Sequence, residues 1–358
     1  MQQSRVALHA AFLHFGMFVG APHVVGQSAD HLQEVAPPCV PEPAATTIPI
    51  AGELMSACGA GCAEISGLAW HGDRLILLPQ YPERFPGEAD GKLFAIRKSE
   101  IIAYLEGRAE QALVPKPFQL VAPNVRRSIP GYQGYEAIAV DGDRAVLVIE
   151  AKGRNALGRD VMTGYVLVGT ISPDLTRLEI DPTTLTEIPS QTSITNMAYE
   201  AAVIAKDAVI VLNEANGRHV NPSPVARLFD PQSRQPRSLP VPPLEYRITD
   251  ATSADENGRF WVINFFYPGD RRYLRPAEDT LVVDGQRGCT HSQSEMVERL
   301  VELEFTPSGI QRTDTPLIQL RLTFVPRNWE GIARLDERGF LLATDRYPLT
   351  ILAFVPGP

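Results

Sequence analysis

One pattern recurs along the chain and limits its fold more than any other feature. It is an acid, a short apolar run, a polar turn and a second apolar run. Near the C-terminus it reads Trp329-Glu330-Gly331-Ile332-Ala333, then Asp336-Glu337-Arg338-Gly339, then Phe340-Leu341-Leu342-Ala343-Thr344. Related stretches start at Glu64, Glu136, Glu200 and Asp250, with turns at Gly72-Asp73, Asp141-Gly142-Asp143, Lys206-Asp207 and Asp255-Glu256-Asn257-Gly258. Short apolar runs bounded by turn residues signal β-hairpins. The five copies are spaced by roughly 50–80 residues, longer than the ~40–50 of regular repeats. The excess has room for two more strands per copy, as in Tyr165 to Ile180 and Glu298 to Phe305. One hairpin cannot bury its own faces, so neighbours must stack. The chain is therefore predicted to be an all-β, β-propeller protein of five blades, with room for a sixth in the intervals 64–136 and 250–330.

The expected domain layout is a leader over 1–29, a linker over 30–44 and a single propeller over 45–358. Arg5 followed by the mostly apolar Val6 to Val25 reads as an export signal, which points to a periplasmic or secreted protein. It lacks the cleanly apolar run of about 20 residues that a stable membrane span needs. Pro37-Pro38, Pro41 and Pro43 mark the linker. Thr46 to Leu54 is expected to be a strand that completes the last blade beside Leu349 to Val355 and closes the ring. Ser99 to Gly107 reads as a short helix capped by Ser99. Pro268 to Ser294 is the largest insertion and a candidate cover for one face. Cys39, Cys58, Cys62 and Cys289 allow two disulfides in three connectivities, with Cys58–Cys62 the expected staple.

Antiparallel return places the end of each second strand beside the acid that opens the first. Gln80, Glu150 with Lys152, Asn213 with Glu214, Asn264, and Asp345 with Arg346 stand at those ends. All are expected to converge with the acids on one mouth of a central channel. Five carboxylates around an axis repel one another unless protonated or matched by cations. Hard oxygen ligands in that number suit Ca²⁺, making Glu64, Glu136, Glu200, Asp250 and Glu330 candidate metal ligands. Lys152, Arg218 and Arg346 are alternative counter-charges; with Asn264 they are the candidate substrate-binding residues. The competing account makes each acid a tie to backbone N–H groups of the next blade. Trp70, Trp261 and Trp329 are expected to pack between blades. The chain carries a net charge of −9 and no long basic run, which argues against nucleic acid as a partner. It has no nucleophile elbow, no phosphate-binding Gly-Lys-Ser/Thr loop and no His-Glu-x-x-His.

Glu64-Ile-Ser-Gly-Leu-Ala, Tyr135-Glu136-Ala-Ile-Ala, Tyr199-Glu200-Ala-Ala and Trp329-Glu330-Gly-Ile-Ala with Asp345-Arg346 resemble the phytase-like ("esterase-like activity of phytase") family of exported bacterial β-propeller proteins. The Glu-Gly-Ile-Ala type of strand is also similar to those of calcium-dependent nucleotidase and lactonase-like propellers. The resemblance implies a metal-assisted hydrolase, with Ca²⁺ at the channel mouth, acting on a small anionic or ester substrate such as an ester or phosphoester. Asp250, and Ala in place of Gly after two of the acids, depart from the pattern. The other reading is a monomeric, non-catalytic propeller that binds a ligand or protein through its loops.

Overall fold

Every hairpin read from the sequence is the inner pair of a four-stranded antiparallel meander. The computed structural model describes residues 39–56, 63–85, 87, 90–154, 157–229, 236–282 and 286–357. The first unit runs Ile65–His71, Arg74–Pro79, Gly91–Arg97 and Lys116–Val121; the second Tyr132–Asp141, Arg144–Arg154, Asp160–Ile171 and Arg177–Pro189. The third runs Tyr199–Ala205, Ala208–Asn213, Val225–Phe229 and Arg237–Pro240. The fourth runs Arg247–Ala251, Arg259–Phe266, Val297–Thr306 and Gly309–Arg312, with Ile318–Gln319 as a short addition. Trp329–Leu335, Gly339–Thr344 and Leu352–Pro356 form the last, completed by Thr46–Ile48. The inner strand of each unit lies against the next, and that of the last returns to the first. That closed radial order is a β-propeller.

The core explains why the inner hairpins read as unbroken apolar runs. Each is packed on both faces, so alternation is lost. Apolar clusters fill each junction between units: Ile76 with Ile138, Val146 with Val211, Leu212 with Val262, Trp261 with Phe340, and Leu341 with Leu68. Trp329 and Trp261 are buried there as expected, while Trp70 is half-buried and donates to the Arg334 carbonyl of the last unit at 2.6 Å. Two-residue turns at Gly72-Asp73, Gly142-Asp143 and Lys206-Asp207 open on a positive φ, as tight hairpins require. Gly331 meets a different demand: a Cβ there would come within 2.9 Å of Leu68 Cγ across the last junction.

Ring closure follows the expected route, with Thr46↔Phe354, Thr47↔Ala353 and Ile48↔Leu352 paired antiparallel. The strand is shorter than read from sequence, because Glu53–Ser56 turns helical. The expected helix spans Lys98–Leu105, and its N-cap is Arg97 rather than Ser99. Glu100 sets that start by reaching back to accept from the Arg97 N–H at 3.1 Å. Residues 39–44, read as linker, are docked. Val40 pairs with Gly288, and Cys39 is bonded to Cys289. A structural disulfide fits an oxidising compartment. The leader and the Cys58–Cys62 pair lie outside the described residues. No helix among the described residues is long and apolar enough to cross a membrane.

Candidate functional site

Every inner hairpin has a ladder slip near the start of its first strand, and the second unit has another between Tyr132 and Gly134. The shared slips fall between Ile65 and Gly67, Tyr135 and Ala137, Tyr199 and Ala201, Ile248 and Ala251, and Trp329 and Gly331. A β-bulge of this kind leaves one residue out of the ladder and re-aims its side chain. The residues so placed are Ser66, Glu136, Glu200, Asp250 with Thr249, and Glu330. The repeat is therefore anchored on Ser66 in the first unit, not on Glu64. Matching the acids misaligned that copy by two residues. The run after the bulge, Ser66-Gly67-Leu68-Ala69 against Glu330-Gly331-Ile332-Ala333, gives the true register. Ser66 acts as a tie, its Oγ donating to the Tyr135 carbonyl of the next unit at 2.6 Å.

Four of the five acids do meet. Glu64, Glu136, Glu200 and Glu330 line one cavity of about 600 Å³, together with Glu150, Asp270 and Asp345. Glu64 reaches it from just ahead of its strand, in the left-handed region at φ 42°, an uncommon conformation for a residue with a Cβ. Three guanidiniums face these seven carboxylates: Arg84, Arg247 and Arg346. Arg84 and Arg346 both serve Glu64, at 2.7 and 3.2 Å. Arg247 serves the rest of the paired set. Its Nε donates to Glu214, its Nη1 to Asn328 Oδ1 at 3.1 Å, and its Nη2 lies 3.4 Å from Glu200 and 3.5 Å from Glu330. Asn328 in turn donates to Glu330 at 2.5 Å.

Among the described residues no guanidinium bonds to Glu136 or Glu150. They sit on neighbouring strands of one hairpin, with Gly134 opposite Glu150 and Tyr135 opposite Ile149. Gln80 donates to Glu136 at 2.9 Å, while one carboxylate oxygen of the buried Glu150 has no partner among the described residues. Burial, reinforced by the charge of Glu150, pushes Glu136 well above the usual carboxylate range. Burial and the charge of Glu214 push Glu150 up to about 8. Burial raises Glu200 and Glu330 as well, against the pull of Arg247. Burial works against the charge of Arg247 itself, but Glu214, Glu200 and Glu330 outweigh it and hold the guanidinium protonated.

Asp250, read as a ligand, does not line this cavity. Its side chain is fully buried, and Oδ2 accepts from the Ile332 N–H of the last unit at 2.7 Å. It is the backbone tie that the competing account describes. Three candidate substrate-binding residues also fall outside the lining. Lys152 turns away to Asp160 at 2.8 Å, near the end of a strand that extends past the mouth. Arg218 is exposed on a loop fixed through its own N–H to Glu245 at 3.0 Å. Asn264 is buried behind the cavity, donating to the carbonyls of Glu245 at 2.9 Å and Arg247 at 3.1 Å while Arg299 donates to it at 2.8 Å. It positions Arg247 rather than a ligand. Arg346, Gln80, Glu150 and Asp345 do line the cavity.

Arg247 was missed from sequence. Its signal was a cation standing at the head of a buried inner strand, three residues before the one copy whose acid is Asp. The donors also bear on the expected ion. Among the described residues, no three His, Cys, Asp or Glu side chains converge closely enough to hold a metal. Asp250 is committed to backbone, Glu64 to two arginines, and Glu200 and Glu330 to a third. The residues do not form the five-carboxylate cage expected for calcium.

No family model matches the chain, so the phytase-like resemblance has no such support, and no curated protein matches it in sequence. Among solved structures it is similar to the soluble aldose sugar dehydrogenase from Escherichia coli in its apo form, at 10% identity and a TM-score of 0.42, covering 88% of this chain and 99% of that one. It is also similar to the GH43 endo-arabinanase from Bacillus licheniformis, at 9% identity and a TM-score of 0.41, covering 82% and 94%. A third is the glutaminyl cyclase from Myxococcus xanthus, at 11% identity and a TM-score of 0.41, covering 89% and 98%. At that distance neither ligand nor chemistry carries over.

Proposed function

We propose that the mouth cavity is hydrolytic and that Glu136 and Glu150 are its acid–base pair, acting on an ester that carries no negative charge. The observation that supports this is their isolation: two buried carboxylates on adjacent strands, opening to a cavity of about 600 Å³, with no guanidinium on either among the described residues. Like-charged neighbours in a shared site titrate apart, one keeping its proton while the other ionises. The protonated member donates to the leaving alkoxide, and the ionised member takes a proton from the attacking water. The surplus of carboxylates repels a phosphate dianion, so esters without negative charge suit the cavity better than phosphoesters.

The test is a panel of chromogenic esters and phosphoesters with purified protein and the Glu136→Gln and Glu150→Gln variants. Ester turnover is expected for wild type, with a drop in kcat of about 10²–10⁴ in either variant. Turnover that never exceeds background, or variants as active as wild type, removes this reading and leaves a binding propeller. A second reading keeps calcium, since unpaired carboxylates favour a cation. Glu136 and Glu150 are the acids free to take it, and a bound ion would polarise an ester carbonyl. Calorimetric titration with Ca²⁺, and melting temperatures with and without chelator, test it apart from activity. No heat of binding and an unmoved Tm would end it.

A further inference from the structure

A second cavity, of about 500 Å³, adjoins the acid chamber and shares Arg247, Asp270, Asn328 and Tyr347 with it. Its remaining walls are apolar: Phe265, Tyr267, Val325 and Pro326. Large apolar side chains that face solvent gather here. Tyr267, Val325 and Tyr347 are about half exposed, and Phe324, next in the chain to Val325, is 98% exposed. Exposed apolar surface concentrated beside a polar cavity marks a binding face more often than it marks chance. On the acid side, carboxylates outnumber guanidiniums, and a buried oxygen of Glu150 stands without a partner. The guanidinium in the shared wall is not free to hold an anion, because Glu214, Glu200, Glu330 and Asn328 already take the donors of Arg247.

We propose that the two cavities together bind an amphipathic organic cation, its ammonium group in the acid chamber and its aromatic or aliphatic arm against Phe265, Tyr267 and Val325. Asp270, which lines both cavities, faces the point where the charged head joins the arm. An ammonium there lets the raised, unpaired carboxyls ionise and then compensates them, whereas a carboxylate ligand offers them no counter-charge. The arm removes exposed apolar surface from water, which a bare ammonium ion cannot do. This names the substrate class of the mouth. It rests on the reading that the mouth is the working site, and not on hydrolysis itself.

Calorimetry on the full chain at neutral pH and low salt tests it with three probes: benzyltrimethylammonium, tetramethylammonium and phenylacetate. The first is expected to bind about tenfold or more tighter than the second, and the third not at all. Val325→Asp is expected to remove the advantage of the benzyl arm, and Asp270→Asn to weaken both cations about tenfold. Tyr267→Ala, at an exposed position, repeats the arm test without touching the core. Phenylacetate binding as tightly as the cation overturns the proposal. So does the absence of any gain from the arm, or of binding by every probe. Cation binding without ester turnover removes only the hydrolytic reading, and turnover without cation binding removes only this one.

Discussion

Two buried acids, Glu42 and Glu150, show what burial does and does not say about function. Glu42 lies in the strap that Cys39–Cys289 fastens to the fourth unit. Its carboxylate accepts from the Thr290 N–H and hydroxyl at 2.7 and 2.6 Å, and from the His291 N–H and Nδ1 at 3.1 and 2.5 Å. The Glu298 N–H donates to the other ring nitrogen of His291 at 3.2 Å, which fixes a neutral ring with its proton on Nδ1. Burial raises Glu42, yet the bonds from Thr290 and His291 together outweigh it and leave its pKa below the usual value. Glu150 is also buried, has an oxygen with no partner among the described residues and is pushed the other way. The difference lies in donors as well as in depth and in the charge of Glu214. A carboxylate given all its donors is a rivet, and one that lines a cavity with an oxygen left over can still take a ligand.

The comparison is broken most severely at Arg247, the cation that Glu214, Glu200 and Glu330 share. Arg247→Met leaves Glu214, Glu200 and Glu330 buried without their guanidinium. Removing one partner of a buried ion pair costs about 3–5 kcal/mol, and that loss is expected in denaturant unfolding at pH 7. Part of it should return at pH 5, where raised carboxyls take protons, and in the double variant with Glu214→Gln. A loss under about 1 kcal/mol would mean the acids are already neutral in the wild type, and the contrast with Glu42 would shrink to one of geometry.

Glu42 should yield the next largest effect. Glu42→Ala strands donors from Thr290 and His291 and is expected to cost about 2–3 kcal/mol at pH 7. Breaking the Cys39–Cys289 bond, which closes a loop of 250 residues, belongs to the same strap and should cost about 2–5 kcal/mol. Glu150→Gln moves the other way. The two acids occupy opposite pH windows. The folded pKa of Glu42 is below 4.5, so its contribution is present above that value and is lost as pH falls through the folded pKa. The folded pKa of Glu150 is raised from 4.5 to about 8, so its contribution is full below 4.5 and is lost as pH rises through about 8. Glu150→Gln should therefore stabilise the protein by about 1–2 kcal/mol at pH 8 and flatten the slope between those limits. A pH–stability curve that keeps its slope in the variant would assign the slope to Glu136 or Glu200 instead.

The propeller was legible because strands packed on both faces leave unbroken apolar runs, and because each hairpin turn carries its Gly or Asp. The N-terminal closing strand was legible as well, since Leu349 to Val355 left the last unit one edge short. The mouth was legible only in part. Glu136, Glu200 and Glu330 share a bulge and the same run after it, a small residue followed by apolar ones. Glu64 arrives beside them from another position, and Asp250 occupies the bulge but spends its carboxylate on Ile332. Side-chain length and the path of one backbone bond decide these outcomes, and neither is written in a repeat. Arg247 escaped for a related reason: its role comes from Glu214, Glu200 and Glu330, three residues on two other units and a loop. The strap escaped because Glu42 and His291 are 249 positions apart and meet only once the ring has closed.

The smallest effect concerns the two cations that proximity in sequence assigned to the mouth. Lys152 stands two residues after Glu150 and Arg218 four after Glu214, yet neither lines the cavity. Lys152 is half-buried and pairs with Asp160, itself open to solvent, so the pair competes with water and salt. The Arg218 contact that holds its loop is made by the backbone N–H, which Ala also supplies. Lys152→Ala and Arg218→Ala are each expected to change unfolding free energy by less than about 0.5 kcal/mol and to leave cation binding at the mouth unchanged. The same substitution at Arg346 should behave differently, since its guanidinium bonds to Glu64 in the cavity wall. Removing it unpairs no acid completely, because Arg84 remains, but it adds to the negative surplus of the chamber. Arg346→Ala is expected to tighten benzyltrimethylammonium by a few-fold, by the Coulomb term for one charge at a partly solvated site. A tightening in Lys152→Ala of the same size would place that lysine back among the groups that set the field of the mouth.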